Sequence, residues 1–355
     1  KPMTYDRAMC LINEFIEHLC DVKRVREVIE ELFRVGFTDD ELVDVFNFGK
    51  DDVSAVVDEN NKIIARAKEK TNAPRPAEEI FDDIAKTVKD ALYSAGLTMD
   101  DIESIGVGTP GSVNKAKGLI EFANNLGFDN VPAYALLKER TGCKNIYFDN
   151  DANCAALGEA VAGCGKGAKD FVAITLGTGV GSGIVVGGKL VTGVNYAAGE
   201  MGHMVIVYDG EQCNCGRKGC WERYSSATAL IRQTKDAMIK DPFTKMWDIV
   251  DGDIRKVDGR TAFDGMRAED DTAKKVVANY MGYLACGMSN IINTFQPEVL
   301  CVGGGVGNEK ENLLGPVRKM INSQRYSVHA EKQTKICCAE LGNDAGIIGA
   351  ALLRE

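Results

Sequence analysis

Positive charge is in short supply. The chain has 42 Lys and Arg against 52 Asp and Glu, a net of −10, which excludes a general binder of nucleic acid or anionic membrane. Proline is scarce, 8 residues against 38 Gly. With 45% apolar and 26% charged residues, the composition is that of a folded globular protein and not of a disordered one. The opening residues KPMTYDRAMC lack the basic-then-apolar layout of a secretory signal, so a cytoplasmic location is expected. There is no framework of paired cysteines. Most of the 12 Cys stand singly in apolar contexts (Cys10, Cys154, Cys286, Cys301), where a reduced thiol packs as a small hydrophobe. No uninterrupted membrane span is present either. Phe171–Gly188 carries no charge, but Gly177, Gly179, Gly181 and Gly183 interrupt it, so it reads as strand, tight loop and strand.

Glycine is what the chain has in excess, at about 11% where ~7% is usual. Its glycines fall in runs beside β-branched residues, as expected where backbone approaches phosphate. At 355 residues the chain is long enough for two or three domains. Residues 1–52 read as a helical accessory segment. Met9, Leu11, Ile12, Phe15, Ile16 and Leu19 recur at helical spacing, and Thr38 with Glu41 is a capping-box start. Residues 1–53 carry 7 Lys/Arg against 13 Asp/Glu, the wrong sign for a DNA-binding helical module. From Ser54 strands and helices alternate, which predicts an α/β fold. Residues 53–160 read as one lobe, to which the closing helix in 342–355 returns, and 161–341 as a second. SAVVDENNKII from Ser54 echoes SGIVVGGKLV from Ser182, 128 positions later, which suggests a duplicated two-lobe architecture.

Five segments carry chemistry. LGTGVGSG (Leu176–Gly183) joins two strands, and Gly177, Thr178 and Gly179 could present donors to phosphate. It is neither a P-loop nor a dinucleotide fingerprint. VGGGVG (Val302–Gly307) and LGNDAG (Leu341–Gly346) are further Gly-rich strand ends. FDNDANCAALGE (Phe148–Glu159) ends a strand and opens a helix. Asp151 there either caps the helix or sets a carboxylate at the strand's lip within reach of a substrate hydroxyl. CNCGRKGCWE (Cys213–Glu222), with His203 ten residues upstream, offers three thiolates and an imidazole, the ligand set of structural zinc: His203, Cys213, Cys215 and Cys220. Glu200 and Glu222 flank these ligands.

In this order, GTPGSV (Gly108–Val113), NNLGF (Asn124–Phe128), NDANCAALGE, LGTGVGSG, GEMGH (Gly199–His203) and CNCGRKGCWE resemble the ROK family of sugar kinases and sugar-responsive repressors, most of all its glucokinase branch. The resemblance covers about 300 residues from Ser54 onward. It implies a two-lobed actin/hexokinase-like (ribonuclease H-like) α/β fold, with ATP and sugar meeting between lobes. It also implies phosphorylation of glucose on its 6-hydroxyl, with Asp151 as general base and Asn150 beside it on the sugar. Glu200, His203 and Glu222 match sugar contacts, with Gly108 and Asn125 nearby. Gly177, Thr178 and Gly179 match the phosphate loop, and Gly304 and Gly305 the nucleotide side. The implied partners are sugar and ATP with Mg²⁺, structural Zn²⁺, and further copies of the chain as a dimer or tetramer. The alternatives are a kinase for N-acetylmannosamine or fructose, or a sugar-sensing regulator without kinase activity.

One departure stands out. Family kinases place a strand and an Asp-x-Gly-Gly-Thr loop before the segment matching Ser54–Val57, whereas this chain reads VFNFGKDDV (Val45–Val53). Either that loop is degenerate or the residues carrying it are missing from this sequence, and the internal echo favours the second.

Overall fold

The computed structural model describes residues 51–354; the helical segment expected over 1–52 lies, for residues 1–50, outside them. The first strand begins three residues ahead of the expected Ser54. Asp51 and Asp52 are drawn into it by cross-strand partners: Lys68 Nζ donates to Asp51 at 3.0 Å, and Thr71 Oγ1 donates to Asp52 at 3.0 Å.

In chain order, β1 (Asp51–Val57), β2 (Ile63–Lys70), α1 (Ala77–Ser94), β3 (Ile105–Thr109), β4 (Ser112–Asn114), β5 (Leu119–Ala123), β6 (Phe128–Val131), α2 (Ala133–Thr141), β7 (Ile146–Asn150) and α3 (Asp151–Ala162) come first. They are followed by β8 (Phe171–Leu176), β9 (Val180–Val186), β10 (Lys189–Leu190), α4 (Glu222–Ser225), α5 (Ala227–Lys240), α6 (Met246–Ile249), α7 (Thr261–Arg267), α8 (Asp271–Phe295), β11 (Val299–Gly303), α9 (Glu311–Gln324), β12 (Lys335–Cys338) and α10 (Asp344–Ala351). The α/β alternation expected from the sequence is present. Both halves of the echo are strand–turn–strand, β1–β2 and β9–β10.

A five-stranded sheet in the order β10-β9-β8-β11-β12 holds the second half. β8 pairs antiparallel with β9 and parallel with β11, which pairs parallel with β12. Such a sheet is covered on both faces, so its central strands are almost wholly apolar and buried. α8 covers one face. Asp270 caps it by accepting from Ala273 N at 2.7 Å. Val277, Tyr280, Leu284, Met288 and Ile291, spaced three and four apart, are buried along its length. α3 packs with the other face through Ala156, Phe171, Ala173 and Val185.

In the first half β3 pairs parallel with β7, β4-β5-β6 form a separate antiparallel sheet, and β1–β2 stand as a hairpin. α1 and α2 bury Ile80, Phe81 and Leu137 against β3, β5, β6 and β7. The closing helix α10 joins Cys154 of α3 through Ala350, with Leu353 just beyond it. Arg66 of β2 makes a bidentate ion pair with Asp344 at its start, at 2.8 and 2.6 Å. Among the described residues no helix is long and apolar enough to cross a membrane.

Candidate functional site

β7 ends where α3 begins, and this corner sets the chemistry. Asn150 is the helix N-cap: its Oδ1 accepts from Ala152 N at 2.9 Å, and its Nδ2 donates to the Gly111 carbonyl at 3.1 Å. Capping therefore falls to Asn150. Asp151 is the first helical residue, with Oδ1 2.8 Å from Ala152 N, and its side chain keeps access to solvent. It opens on a cavity of about 1100 Å³ that Gly108 and Asn125 also line. Partial burial by the cavity walls raises the Asp151 pKa above the ordinary carboxylate value, against the lowering effect of the backbone N–H groups.

Beneath this corner lies an ion pair that sequence reasoning missed. Asp149 is 2% exposed and pairs with Lys115. It also accepts from Asn153 Nδ2 and from Asn150 N, both at 2.8 Å. Asp149 thus ties the strand end, the cap residue and the first turn of α3 together. The motif FDND contains it, but nothing in the sequence connects it to Lys115 on the loop after β4.

The Gly-rich segments meet at the C-terminal ends of β8 and β11. Gly304 has φ +82°, and a Cβ there would lie 2.5 Å from Leu176 N, so only glycine lets these two crests touch. Gly177 N donates to Gly179 O at 3.1 Å, closing the tight loop. Gly305 precedes a 3₁₀ turn, Val306–Glu309. A Cβ on Gly179 would lie 2.6 Å from Glu222 Oε2, which brings the cysteine loop against the glycine hairpin. Thr178 stands between these two glycines.

Within the cysteine loop the four expected ligands converge. The His203, Cys213, Cys215 and Cys220 donor atoms all lie within 4.8 Å of one another. His203 Nδ1 is 3.6 Å from Cys213 Sγ, and Cys215 Sγ is 3.6 Å from Cys220 Sγ. A tetrahedral centre with ~2.3 Å metal–sulfur bonds needs ligand separations near ~3.8 Å, so the donor set fits a closed structural zinc site. Glu222 Oε1 sits 3.1 Å from Cys213 Sγ and 3.7 Å from His203 Nδ1. Trp221, fully buried, anchors the loop by donating to the Tyr283 carbonyl of α8 at 3.0 Å. Glu200 opens the 3₁₀ turn Met201–His203. Ser182 of β9 holds that turn, donating to the Gly199 carbonyl and accepting from Met201 N at 3.1 Å; sequence reasoning missed this tie as well.

Two groups emerge. Gly108, Asn125 and Asp151 line one cavity, with Asn150 bonded behind them. His203, Glu222 and Gly179 form a second cluster, with Glu200 on the adjoining turn; these four do not line that cavity.

Comparison with known proteins gives the family. The ROK family model matches residues 47–355. A glucokinase of Thermotoga maritima is 34% identical over 298 residues, covering 83% of this chain and 91% of its own. A xylose repressor of Caldicellulosiruptor bescii is 30% identical, over 76% of this chain and 66% of the repressor. The solved structure of a Streptomyces griseus ROK family glucokinase in complex with glucose and AMPPNP is 34% identical. It covers 85% of this chain and 95% of that one, with a TM-score of 0.71. With its mixed sheet, capped Asn150-Asp151 corner and convergent cysteine loop, the chain belongs to the ROK family.

Proposed function

We propose that the protein is an ATP-dependent hexose kinase that phosphorylates the 6-hydroxyl of glucose. The observation that carries this reading is the division of labour at the β7–α3 corner. Asn150 does the capping, which leaves the Asp151 carboxylate a group with a raised pKa at the mouth of a cavity. Phosphoryl transfer demands positioning and charge stabilisation more than covalent participation by the protein. Asp151 accepts the proton of the sugar hydroxyl as its oxygen bonds to the γ-phosphorus and ADP departs.

Asn125, Asn150, Glu200, His203 and Glu222 are the proposed sugar contacts, together with the Gly108 backbone. Gly177, Thr178, Gly179, Gly304 and Gly305 are assigned to the phosphates and nucleotide; Gly177 closes the loop through its own N–H, and the backbone N–H groups of the other four act as donors. Mg²⁺ is held largely by phosphate oxygens and water, and when bound it neutralises charge on the transferring group. His203, Cys213, Cys215 and Cys220 are assigned to one structural zinc, which fixes the turn bearing His203 and the loop bearing Glu222. With four protein ligands it has no open position for water chemistry.

The glucokinases at about a third identity support glucose as substrate. The xylose repressor at 30% identity supports a second reading, a sugar sensor without turnover. A coupled ADP-release assay with glucose, mannose, fructose and N-acetylmannosamine tests both. The proposal expects the highest kcat/KM with glucose. Sugar binding without ADP release from any of the four would establish the sensor instead.

A further inference from the structure

Three cysteines that stand apart in the sequence meet in the fold, on the side of the five-stranded sheet that α3 covers. Cys301 of β11 and Cys337 of β12 are direct partners in the parallel register, so their side chains leave the same face of the sheet. Cys164 lies two residues beyond the end of α3, and the Cys301 thiol faces the thiols of both Cys164 and Cys337. Cys164 and Cys301 are buried. Cys337 is half-buried and gives the cluster its access to solvent.

The fourth member is a carboxylate. Glu159, in the last turn of α3, is 2% exposed, and one of its oxygens lies within 4.8 Å of the Cys164 and Cys301 sulfurs. Its hydrogen bonds all come from backbone N–H groups: Leu341 N donates to Oε1 at 2.7 Å, and Cys164 N and Glu340 N donate to Oε2 at 3.1 and 3.2 Å. A carboxylate offers about four lone-pair positions, so one on Oε1 is left over. Asp149, equally buried, has Lys115 as its counter-ion, whereas Glu159 pairs with no Lys or Arg among the described residues. Buried carboxylates are matched by a cation or by a metal.

We propose that Cys164, Cys301, Cys337 and Glu159 form a second metal site, for a soft divalent cation of the zinc–cadmium class. Thiolates select such ions over Mg²⁺ and Ca²⁺, which take oxygen ligands. Three sulfurs at ~2.3 Å and one oxygen at ~2.1 Å complete a tetrahedron, so the ion is structural and keeps no position for water. Its binding releases the thiol protons to solvent and supplies the positive charge that Glu159 lacks. The ion ties the end of α3, the helix that carries Asp151 at its start, to β11, β12 and the approach to α10. The site shares no residue with the His203–Cys213–Cys215–Cys220 quartet and is independent of the kinase reading.

The test uses the full chain carrying Cys215→Ser, which disables the quartet so that only the new cluster is read. The protein is stripped of metal by a chelator, kept reduced, and titrated with Cd²⁺ while the ultraviolet thiolate-to-cadmium charge-transfer band is followed. The expected result is about one tightly bound Cd²⁺ per chain, with a rise in Tm as the site fills. Adding Cys301→Ala, or separately the half-buried Cys337→Ser, should abolish both the band and the Tm rise. Adding Glu159→Gln, which keeps the size of the side chain and removes its charge, should weaken binding at least ~10-fold. Absence of the band in Cys215→Ser overturns the proposal, as does a band that survives Cys301→Ala or Cys337→Ser. Unchanged affinity in a folded Glu159→Gln variant overturns the four-ligand site as well.

Discussion

Gly179 and Glu222 stand close together: any side chain on the glycine would begin 2.6 Å from the carboxylate Oε2. The other oxygen of Glu222 faces Cys213 and His203, so one side chain links the glycine hairpin to the cysteine loop. Gly179→Ala pushes on the far end of a flexible side chain, which can swing aside at small cost to the fold. The expected result is a Tm within a few degrees of the parent and a raised KM for sugar. Unchanged KM in a folded variant would sever the link drawn between hairpin and loop.

The cysteine loop should carry about one zinc per chain. Cys215→Ser is expected to lose the metal and to raise KM for sugar more than it lowers kcat, because Glu222 and His203 lose their brace. Elemental analysis of freshly purified protein checks the first point and steady-state kinetics the second. Parent protein without stoichiometric metal would refute the assignment.

Lys115→Met leaves Asp149 buried without its counter-ion. Removing one partner of a fully buried pair costs about 3–5 kcal/mol; with 34% of the Lys115 side chain exposed the loss is smaller, and Tm should still fall. Because Asp149 also holds Asn150 and Asn153, kcat should fall with it. Denaturant unfolding of the variant beside its kcat measures both, and parental values for both would leave the ion pair without a role at the corner.

The residues legible in the sequence were those whose cause is local. The helix expected to open within FDNDANCAALGE is present as Asp151–Ala162, because a polar cap opens it. The strand, tight loop and strand expected over Phe171–Gly188 are present as Phe171–Leu176 and Val180–Val186. The ligand quartet was legible through spacing, since three of its four members lie within eight residues. The pairing of Lys115 with Asp149 was not, because 34 positions separate them and neither residue type is unusual on a surface. Nor was the capping role of Asn150 separable from Asp151, since both are good cap residues and only the backbone decides between them. The short strands β4 to β6 alternate too briefly to register as a period.

The pH dependence follows from Asp151. Burial raises its pKa in the folded chain, and the base must be ionised to act. Activity should therefore fall as pH drops, with kcat/KM inflecting above the ordinary carboxylate value of about 4. For an acid raised on folding, the stabilising contribution is present at low pH and lost as pH climbs through the folded pKa. Asp151→Asn should accordingly be no less stable than the parent at neutral pH, and the gap should close in acid. An inflection at or below the ordinary value would mean that the carboxyl is not held in the environment described.

The most direct test of the account is the kcat of Asp151→Asn for glucose-dependent ADP release, measured beside glucose affinity. Asn150 supplies the cap, so the amide leaves the fold and the sugar site in place and removes only the proton acceptor. The account predicts glucose affinity close to the parent and a kcat lower by at least ~10². Parental kcat in that variant would contradict it and return Asp151 to a structural part of the helix start.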